Sequence, residues 1–153
     1  MSSKKVLVLY YSGSGNTQRM AKAIAEAMKS SAVNVTIEDV GKFDVSLLPN
    51  YDGIVLGSPT YFSNVAWQVK KVIDESIVHY RGGKLKEKVA GIFTSAGTSR
   101  DGKDCLKMLE VALGFHHGMK VVEGILRVDG EGNKEVEKRC EEYGKKLLKE
   151  IEK

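Results

Sequence analysis

The chain has 153 residues, of which 42% are hydrophobic and 29% charged, with a formal net charge of +4. This length and apolar content suffice for one full hydrophobic core, and no Pro- or Gly-rich linker divides the chain, so a single domain over residues 1–153 is predicted. The apolar runs have the length of strands and no signal-peptide pattern is present, so we expect a cytoplasmic protein without membrane insertion. After Asn133, Lys and Arg residues are interspersed with Glu residues. Such a mixture of charges is typical of a solvated helix face and argues against a nucleic-acid partner.

The first predicted element is a strand over the apolar run 6–11, buried on both faces of a parallel sheet. Apolar residues recur at helical spacing from Thr17 onward, so a helix follows. The turn between them, residues 12–17, combines two glycines, three hydroxyl side chains and Asn16. Backbone amides in such a turn can converge on an anion at the positive end of the helix dipole. We therefore predict a phosphate site; the alternative is a tight capped turn without a ligand.

The residues that this turn lacks narrow the kind of phosphate compound. A nucleoside triphosphatase loop requires Gly-Lys-Ser/Thr, whereas Gly15 is followed by Asn16. A dinucleotide-binding loop requires a third glycine at the position of Gln18, although Glu38 and Asp39 lie where an acid that binds a ribose would lie. A terminal monophosphate fits the turn better than either ligand.

The rest of the chain alternates strands and helices. Residues 33–38 alternate apolar and polar side chains, which predicts a half-exposed edge strand. The remaining predicted strands are 54–57, 89–94 and 121–126, and the remaining predicted helices are 66–76, about 101–113 and a final helix after Asn133. This regular alternation predicts a doubly wound α/β fold with a five-stranded parallel sheet and helices on both faces.

Two further loops follow predicted strands, at the edge where such sheets bind ligands. The loop after the third strand carries Pro59, Tyr61 and Phe62, and the two aromatic rings can flank a flat ligand. The loop after the fourth strand offers hydroxyl and backbone groups at residues 95–99, which can bond a polar ring edge. A phosphate cradle, aromatic walls and a polar edge together describe a site for flavin mononucleotide (FMN). Trp67, just beyond the second loop, is expected to pack its helix onto the sheet.

Two other five-stranded fold families are excluded by single residues. A response-regulator receiver requires an aspartate after its third strand, where this chain has Ser58. A low-molecular-weight phosphatase requires a cysteine in the first loop, which has none. The only cysteines, Cys105 and Cys140, fall on apolar helical faces, so we expect buried thiols.

Five segments carry a resemblance to a known family. Ser-Gly-Ser-Gly-Asn-Thr at 12–17 resembles the phosphate loop of flavodoxins. The segments KVLVLYYS, GSPTYFSN, TSAGTS and HHGM resemble the flavodoxin-like NAD(P)H:quinone oxidoreductases of the WrbA type, in the expected order over nearly the whole chain. The resemblance implies a flavodoxin-like sheet with strand order 2-1-3-4-5, FMN as cofactor and NAD(P)H as co-substrate.

The resemblance also implies roles for individual residues. The predicted cofactor-binding residues are Ser12, Gly13, Ser14, Gly15, Asn16, Thr17, Pro59, Thr60, Tyr61, Phe62, Ser95, Ala96, Gly97, Thr98, Ser99 and Arg100. His117 is expected near the pyrimidine end of the flavin and Tyr80 over its exposed face, and these two are the predicted catalytic residues. The chain departs from the family at Ser14, where the family has an aromatic near the nicotinamide. It also lacks two insertions tied to the family's tetramer, so a homo-oligomer is an open expectation.

Two functions of different class remain. Loops 58–64 and 95–100 contain no carboxylate and end in Arg100, which favours a negatively charged reduced flavin and hence two-electron transfer. This favours a reductase that uses NAD(P)H to reduce quinones or similar small-molecule acceptors. The alternative is a flavodoxin-type electron carrier whose partner is a redox protein. No metal site is predicted, because an iron-sulfur cluster needs more than two cysteines.

Overall fold

A computed structural model describes residues 3–30 and 32–153. The strands are β1 (Lys4–Tyr10), β2 (Val33–Asp39), β3 (Gly53–Tyr61), β4 (Asn64–Val65), β5 (Val89–Ala96), β6 (Lys120–Val121) and β7 (Ile125–Val128). The α-helices are α1 (Asn16–Met28), α2 (Trp67–Glu75), α3 (Ile77–Tyr80), α4 (Ser99–Glu110) and α5 (Asn133–Glu152). Two 3-10 helices (Val40–Lys42 and Val45–Asn50) follow β2, and a π-helical turn (Val111–His116) continues α4.

The main sheet is parallel and runs in the order β2-β1-β3-β5, with β6 and β7 both beside β5. Because β6 and β7 together occupy the place of the fifth predicted strand, this is the predicted order 2-1-3-4-5. The doubly wound α/β fold is therefore confirmed. The short β4 folds back antiparallel to the end of β3.

The fifth strand is broken, although the sequence predicts one continuous strand over 121–126. At the break, a Cβ atom on Gly124 would lie 2.8 Å from the carbonyl oxygen of Ile92, so the two backbones are too close for a side chain at this position. The Tyr143 hydroxyl of α5 accepts a hydrogen bond from the Ile92 amide (2.9 Å) and donates one to the Val122 carbonyl (2.8 Å). A helix side chain thus bridges the strands where the ladder is interrupted.

Side chains of the central strands alternate between two cores, one on each face of the sheet. In β1, Leu7 and Leu9 belong to the core beneath α2 and α4, whereas Val6 and Val8 belong to the core beneath α1 and α5. All four are fully buried, as predicted for a strand covered on both faces. The predicted inward residues of α5 are also buried: Val136, Cys140, Tyr143, Leu147 and Ile151. Both free cysteines are buried as expected.

Glycines allow strands and side chains to approach closely at the centre of the sheet. Gly57 of β3 is paired with Phe93 of β5, and a Cβ atom on Gly57 would overlap the Phe93 ring.

The expectation for Trp67 is wrong: its side chain is 71% exposed at the start of α2, because Val69 and Val72 supply the buried face of this helix. Within residues 3–30 and 32–153, no helix has the length and apolar character needed to cross a membrane.

The hydroxyl of Tyr143 gives a direct test of how the broken strand is stabilised. Tyr143→Phe leaves the Ile92 amide and the Val122 carbonyl without this partner, so the free energy of unfolding should fall by about 1–3 kcal/mol. Urea denaturation measures the change. Tyr80→Phe is the matched control, because the Tyr80 side chain is 49% exposed. Equal losses in the two variants would contradict a special role for the Tyr143 hydroxyl.

Candidate functional site

The carboxyl ends of β1, β3 and β5 lie side by side at one end of the sheet. Tyr10 at the end of β1 pairs with Gly57, and Pro59 in β3 pairs with Ser95 near the end of β5. The three predicted loops therefore leave the sheet side by side. We call this group, residues 11–17, 58–63 and 95–100, the rim.

The first rim loop is closed by a serine hydroxyl. Ser12 Oγ accepts hydrogen bonds from the amides of Gly15 (3.0 Å) and Gln18 (3.2 Å), which folds the loop back on itself. Gly15 takes the left-handed conformation (φ 99°) at the N-cap of α1, which favours glycine. The amides of Asn16 and Thr17, in the first turn of α1, have no acceptor among the described residues. Two amide donors at the positive end of a 13-residue helix are therefore free to bind an anion.

Thr17 connects the first loop with the third. Its side chain is only 1% exposed, and its Oγ1 lies 2.9 Å from Ser95 Oγ. One hydroxyl of this pair donates to the other, so one of the two protons remains available to a second acceptor. The sequence predicts that the Thr17 hydroxyl faces the anion; the structure adds Ser95 as its neighbour.

The second rim loop is a hairpin between β3 and β4. Phe62 (φ 51°) and Ser63 (φ 63°) form its two-residue tip, and both take the left-handed conformation that a tight hairpin requires. The Phe62 side chain is fully exposed, and Tyr61 is half-exposed. A Cβ atom on Gly13 would lie 2.5 Å from the Tyr61 hydroxyl, so the first and second loops are in contact.

Buried hydroxyl groups fix the second and third loops to one another. Thr94 Oγ1 donates to the Ser58 carbonyl (2.6 Å), and Thr60 Oγ1 lies 2.7 Å from Thr94 Oγ1. The Ser58 hydroxyl accepts from the Ala66 amide (2.9 Å) and donates to the Pro59 carbonyl (2.7 Å). These bonds hold the backbone of the rim in place without occupying its outer surface.

The third rim loop passes from buried to exposed. Ser95 and Ala96 are buried, whereas Gly97, Thr98, Ser99 and Arg100 are exposed. Thr98 Oγ1 accepts from the Asp101 amide (3.2 Å) and so caps the N-terminus of α4.

Two carboxylates border the rim, although the loop sequences predict none. Asp101 accepts a hydrogen bond from Ser63 (2.7 Å). Asp129, just beyond β7, lies beside the third loop: its Oδ2 is 3.8 Å from the Cβ position of Gly97. The rim residues themselves contain no carboxylate, but two carboxylates from neighbouring segments lie against them, which the loop sequences did not indicate. Sequence analysis missed Asp129 because it belongs to another segment, and its approach to Gly97 depends on the pairing of β7 with β5.

The two predicted catalytic residues lie near the amino-terminal ends of the strands, at the end of the sheet opposite the rim. Lys120 pairs with Val89, the first residue of β5, and the Gly118 carbonyl accepts from the Glu87 amide (2.9 Å). His117 is thus beside the start of β5, whereas the third rim loop follows its end, about 23 Å away along the strand. The ring of Tyr80 is 6.1 Å from that of His117. The structure brings these two residues together and separates them from the rim of the same chain, and their contact with a flavin stays a prediction.

His117 is buried, away from the rim. The Ser76 hydroxyl donates to the Ile73 carbonyl (2.6 Å), so His117 Nε2, at 2.9 Å, donates to Ser76. Burial lowers the pKa of His117 below its ordinary value, and the charges of His79 and His116 act in the same direction. Its ring borders a surface cavity of about 670 Å³ between α2–α3 and α4.

Comparison with known proteins assigns the family. The model of the flavodoxin domain matches residues 7–121. The chain belongs to the flavodoxin domain family. It is 35% identical over 138 residues to "NAD(P)H dehydrogenase (quinone)" of Rhizobium rhizogenes, covering 77% of this chain and 69% of the relative. It is 31% identical over 151 residues to "NAD(P)H dehydrogenase (quinone) 3" of Rhizobium meliloti, covering 82% of this chain and 71% of the relative.

Solved structures agree with this family assignment. The crystal structure of the flavodoxin, WrbA-like protein from Agrobacterium tumefaciens superposes with a TM-score of 0.86 at 27% identity, covering 98% of each chain. The solution structure of two-electron reduced Megasphaera elsdenii flavodoxin superposes with a TM-score of 0.76 at 26% identity, covering 94% of this chain and 98% of the other. The predicted flavodoxin-like fold and the resemblance to WrbA-type proteins are confirmed.

The lowered pKa of His117 predicts a pH dependence of stability in this flavodoxin domain. Below about pH 6.5 the unfolded chain binds a proton at this position before the folded chain does, so the free energy of unfolding should fall as the pH decreases. His117→Gln keeps a donor for Ser76 and removes the titration, so it should reduce the difference in stability between about pH 7.5 and pH 5.5. Urea denaturation at both pH values measures it. His116→Gln, at the exposed neighbour, is the control; an unchanged pH dependence in His117→Gln would contradict the interpretation.

Proposed function

We propose that the rim binds FMN, with the phosphate in the first loop and the ring between the second and third loops. The observation that carries the proposal is the convergence of three loops of complementary chemistry at one edge of the sheet. The first loop offers the amides of Asn16 and Thr17, the second exposes aromatic surface at Tyr61 and Phe62, and the third exposes polar groups at residues 97–100.

The residues present suit this ligand sterically. Gly13 keeps the entrance of the first loop open, because any side chain there would compete for space with the Tyr61 hydroxyl. The Ser12 hydroxyl accepts two amides and retains its own proton for an anion. Helix dipole, free amides and hydroxyl protons together favour a phosphate dianion without a lysine in the loop.

When bound, FMN supplies the redox chemistry, taking two electrons from NAD(P)H and passing them to a quinone or similar acceptor. The chain's own residues bind the phosphate and orient the ring. The relatives named NAD(P)H dehydrogenase (quinone) support this choice of electron donor and acceptor. Assembly into a homo-oligomer remains a prediction, and so does a cytoplasmic location.

The second candidate function is that of an electron carrier between proteins. It is favoured by Asp101 and Asp129 at the rim, because negative charge disfavours the fully reduced flavin. The fully exposed Phe62 would be accessible to a partner protein. A carrier would bind FMN equally well, so cofactor binding alone does not distinguish the two functions.

Steady-state kinetics separates the two functions. We expect the chain to bind one FMN, with quenched flavin fluorescence, and the loaded protein to oxidise NADH or NADPH continuously when a soluble quinone is present. FMN binding without this turnover would contradict the reductase and leave the carrier. No binding at micromolar FMN would contradict both functions.

A pair of glycine variants provides the control. Gly13→Ala places a methyl group against the Tyr61 hydroxyl, so FMN affinity should fall by about tenfold, the equivalent of 1.4 kcal/mol. Gly132→Ala, where no atom lies within 4 Å of the added carbon, should leave FMN affinity unchanged. Equal affinities in the two variants would place the cofactor away from the first loop.

A further inference from the structure

We propose that Arg127 and Asp129, at the end of β7, form a charged pair within the cofactor site that tunes FMN binding and the flavin reduction potential. The inference rests on the proposed FMN site. It adds a fourth segment of the chain to the three rim loops and assigns opposite effects to its two residues.

The position of Arg127 follows from the sheet register. Arg127 is paired with Ser95 of the third loop. The preceding residue, Leu126, faces α4, because a Cβ atom on Gly102 would lie 2.5 Å from Leu126 Cδ1. Side chains alternate along a strand, so Arg127 projects from the opposite face, the face from which Ser95 reaches Thr17. A cationic side chain thus lies one strand away from the pair that supports the phosphate cradle.

Asp129 lies beside the carboxyl end of β5, next to the third rim loop. Its amide donates to the Ala96 carbonyl (3.0 Å), which fixes the backbone beside the third loop. Its Oδ1 lies 3.2 Å from Arg127 Nη1, and its Oδ2 lies 3.8 Å from the Cβ position of Gly97. The Arg127 side chain is 13% exposed and that of Asp129 is 70% exposed. The carboxylate is therefore accessible beside the third loop, and the largely buried guanidinium holds it in place.

The next acidic residue, Glu131, is held mainly by the Val128 amide and Arg139. The charge of Arg127 is the smallest of the causes that lower the pKa of Glu131. Glu131 accepts hydrogen bonds from the Val128 amide (2.7 Å) and from Arg139 (3.0 Å), and its second oxygen is 3.0 Å from the same guanidinium. Arg139 also donates to the Leu126 carbonyl (2.8 Å). Glu131 therefore forms its ion pair with Arg139, and Asp129 is the ion-pair partner of Arg127 among the described residues.

The two charges act on the cofactor in opposite directions. Two-electron reduction of FMN adds two electrons and takes up one proton, so the reduced flavin carries more negative charge than the oxidised flavin. Asp129 opposes this change, whereas Arg127 favours it and also attracts the phosphate. Arg127 is largely shielded from water, so its field is weakly screened by salt.

Apoprotein titrations and potentiometry test the pair. Asp129→Asn should raise the midpoint potential of bound FMN, and Arg127→Gln should lower it. Arg127→Gln should also weaken FMN binding by about fivefold to tenfold, with a smaller effect on riboflavin, which lacks the phosphate. Arg127→Lys, which keeps the charge, should restore most of both losses and distinguishes charge from packing. Glu142→Gln and Lys146→Gln, at exposed positions of α5, repeat the two charge changes about two and a half and three and a half helical turns from its start and should change neither quantity.

The outcomes separate this inference from the function on which it rests. Opposite shifts of the potential in Asp129→Asn and Arg127→Gln, beyond those of the controls, would support the pair. Shifts of the same sign, or none beyond the controls, in a protein that still binds FMN would overturn it while leaving the FMN site intact. Failure of the unmodified chain to bind FMN would instead overturn the proposed function.

Discussion

The parallel pairing of β1, β3 and β5 is the constraint on which the rest of the structure depends. Gly57 permits this pairing, because the Phe93 ring covers the position that its side chain would occupy. With the register fixed, the three strands end at the same edge and their loops must emerge together. The N-terminus of α1 then lies beside these loops, and the Asn16 and Thr17 amides have no acceptor among the described residues.

Short side chains then hold the rim in place. Thr17 with Ser95 joins the first loop to the third, and Thr60 with Thr94 joins the second to the third. Because these bonds form between residues of the chain itself, the loops are arranged before a ligand arrives, which lowers the entropy cost of binding. Charged side chains border the rim at Asp101, Asp129 and Arg127, and under the proposal they would act on the cofactor from outside the first loop.

Local patterns in the sequence were sufficient to predict much of this arrangement. The apolar run before the first loop indicates a central strand, and the small residues of 12–17 indicate a turn at a helix N-terminus. The break between β6 and β7 was not predictable, because it depends on the contact of Gly124 with Ile92 and on the Tyr143 hydroxyl of a distant helix. The contribution of Asp129 likewise depends on tertiary pairing.

The distance of His117 and Tyr80 from the rim has a simple geometric cause. α4 has 12 residues and α2 has nine, and each helix begins near the rim and leads the chain back toward the other edge of the sheet. At 1.5 Å per residue, α4 alone carries the chain about 18 Å from the third loop, so the predicted helix lengths already contained the information that separates His117 from the rim. Motif resemblance assigned the two residues to the flavin without regard to this distance.

The central claim is that the first loop holds the phosphate of FMN, and amide NMR of the apoprotein titrated with FMN and with riboflavin tests it most directly. Both ligands should shift the amide signals of residues 58–63 and 95–100, because both carry the same ring. FMN alone should produce large shifts at Asn16 and Thr17, whose amides would bond the phosphate. Equal shifts of these two signals with riboflavin, or no shift with FMN, would contradict the account.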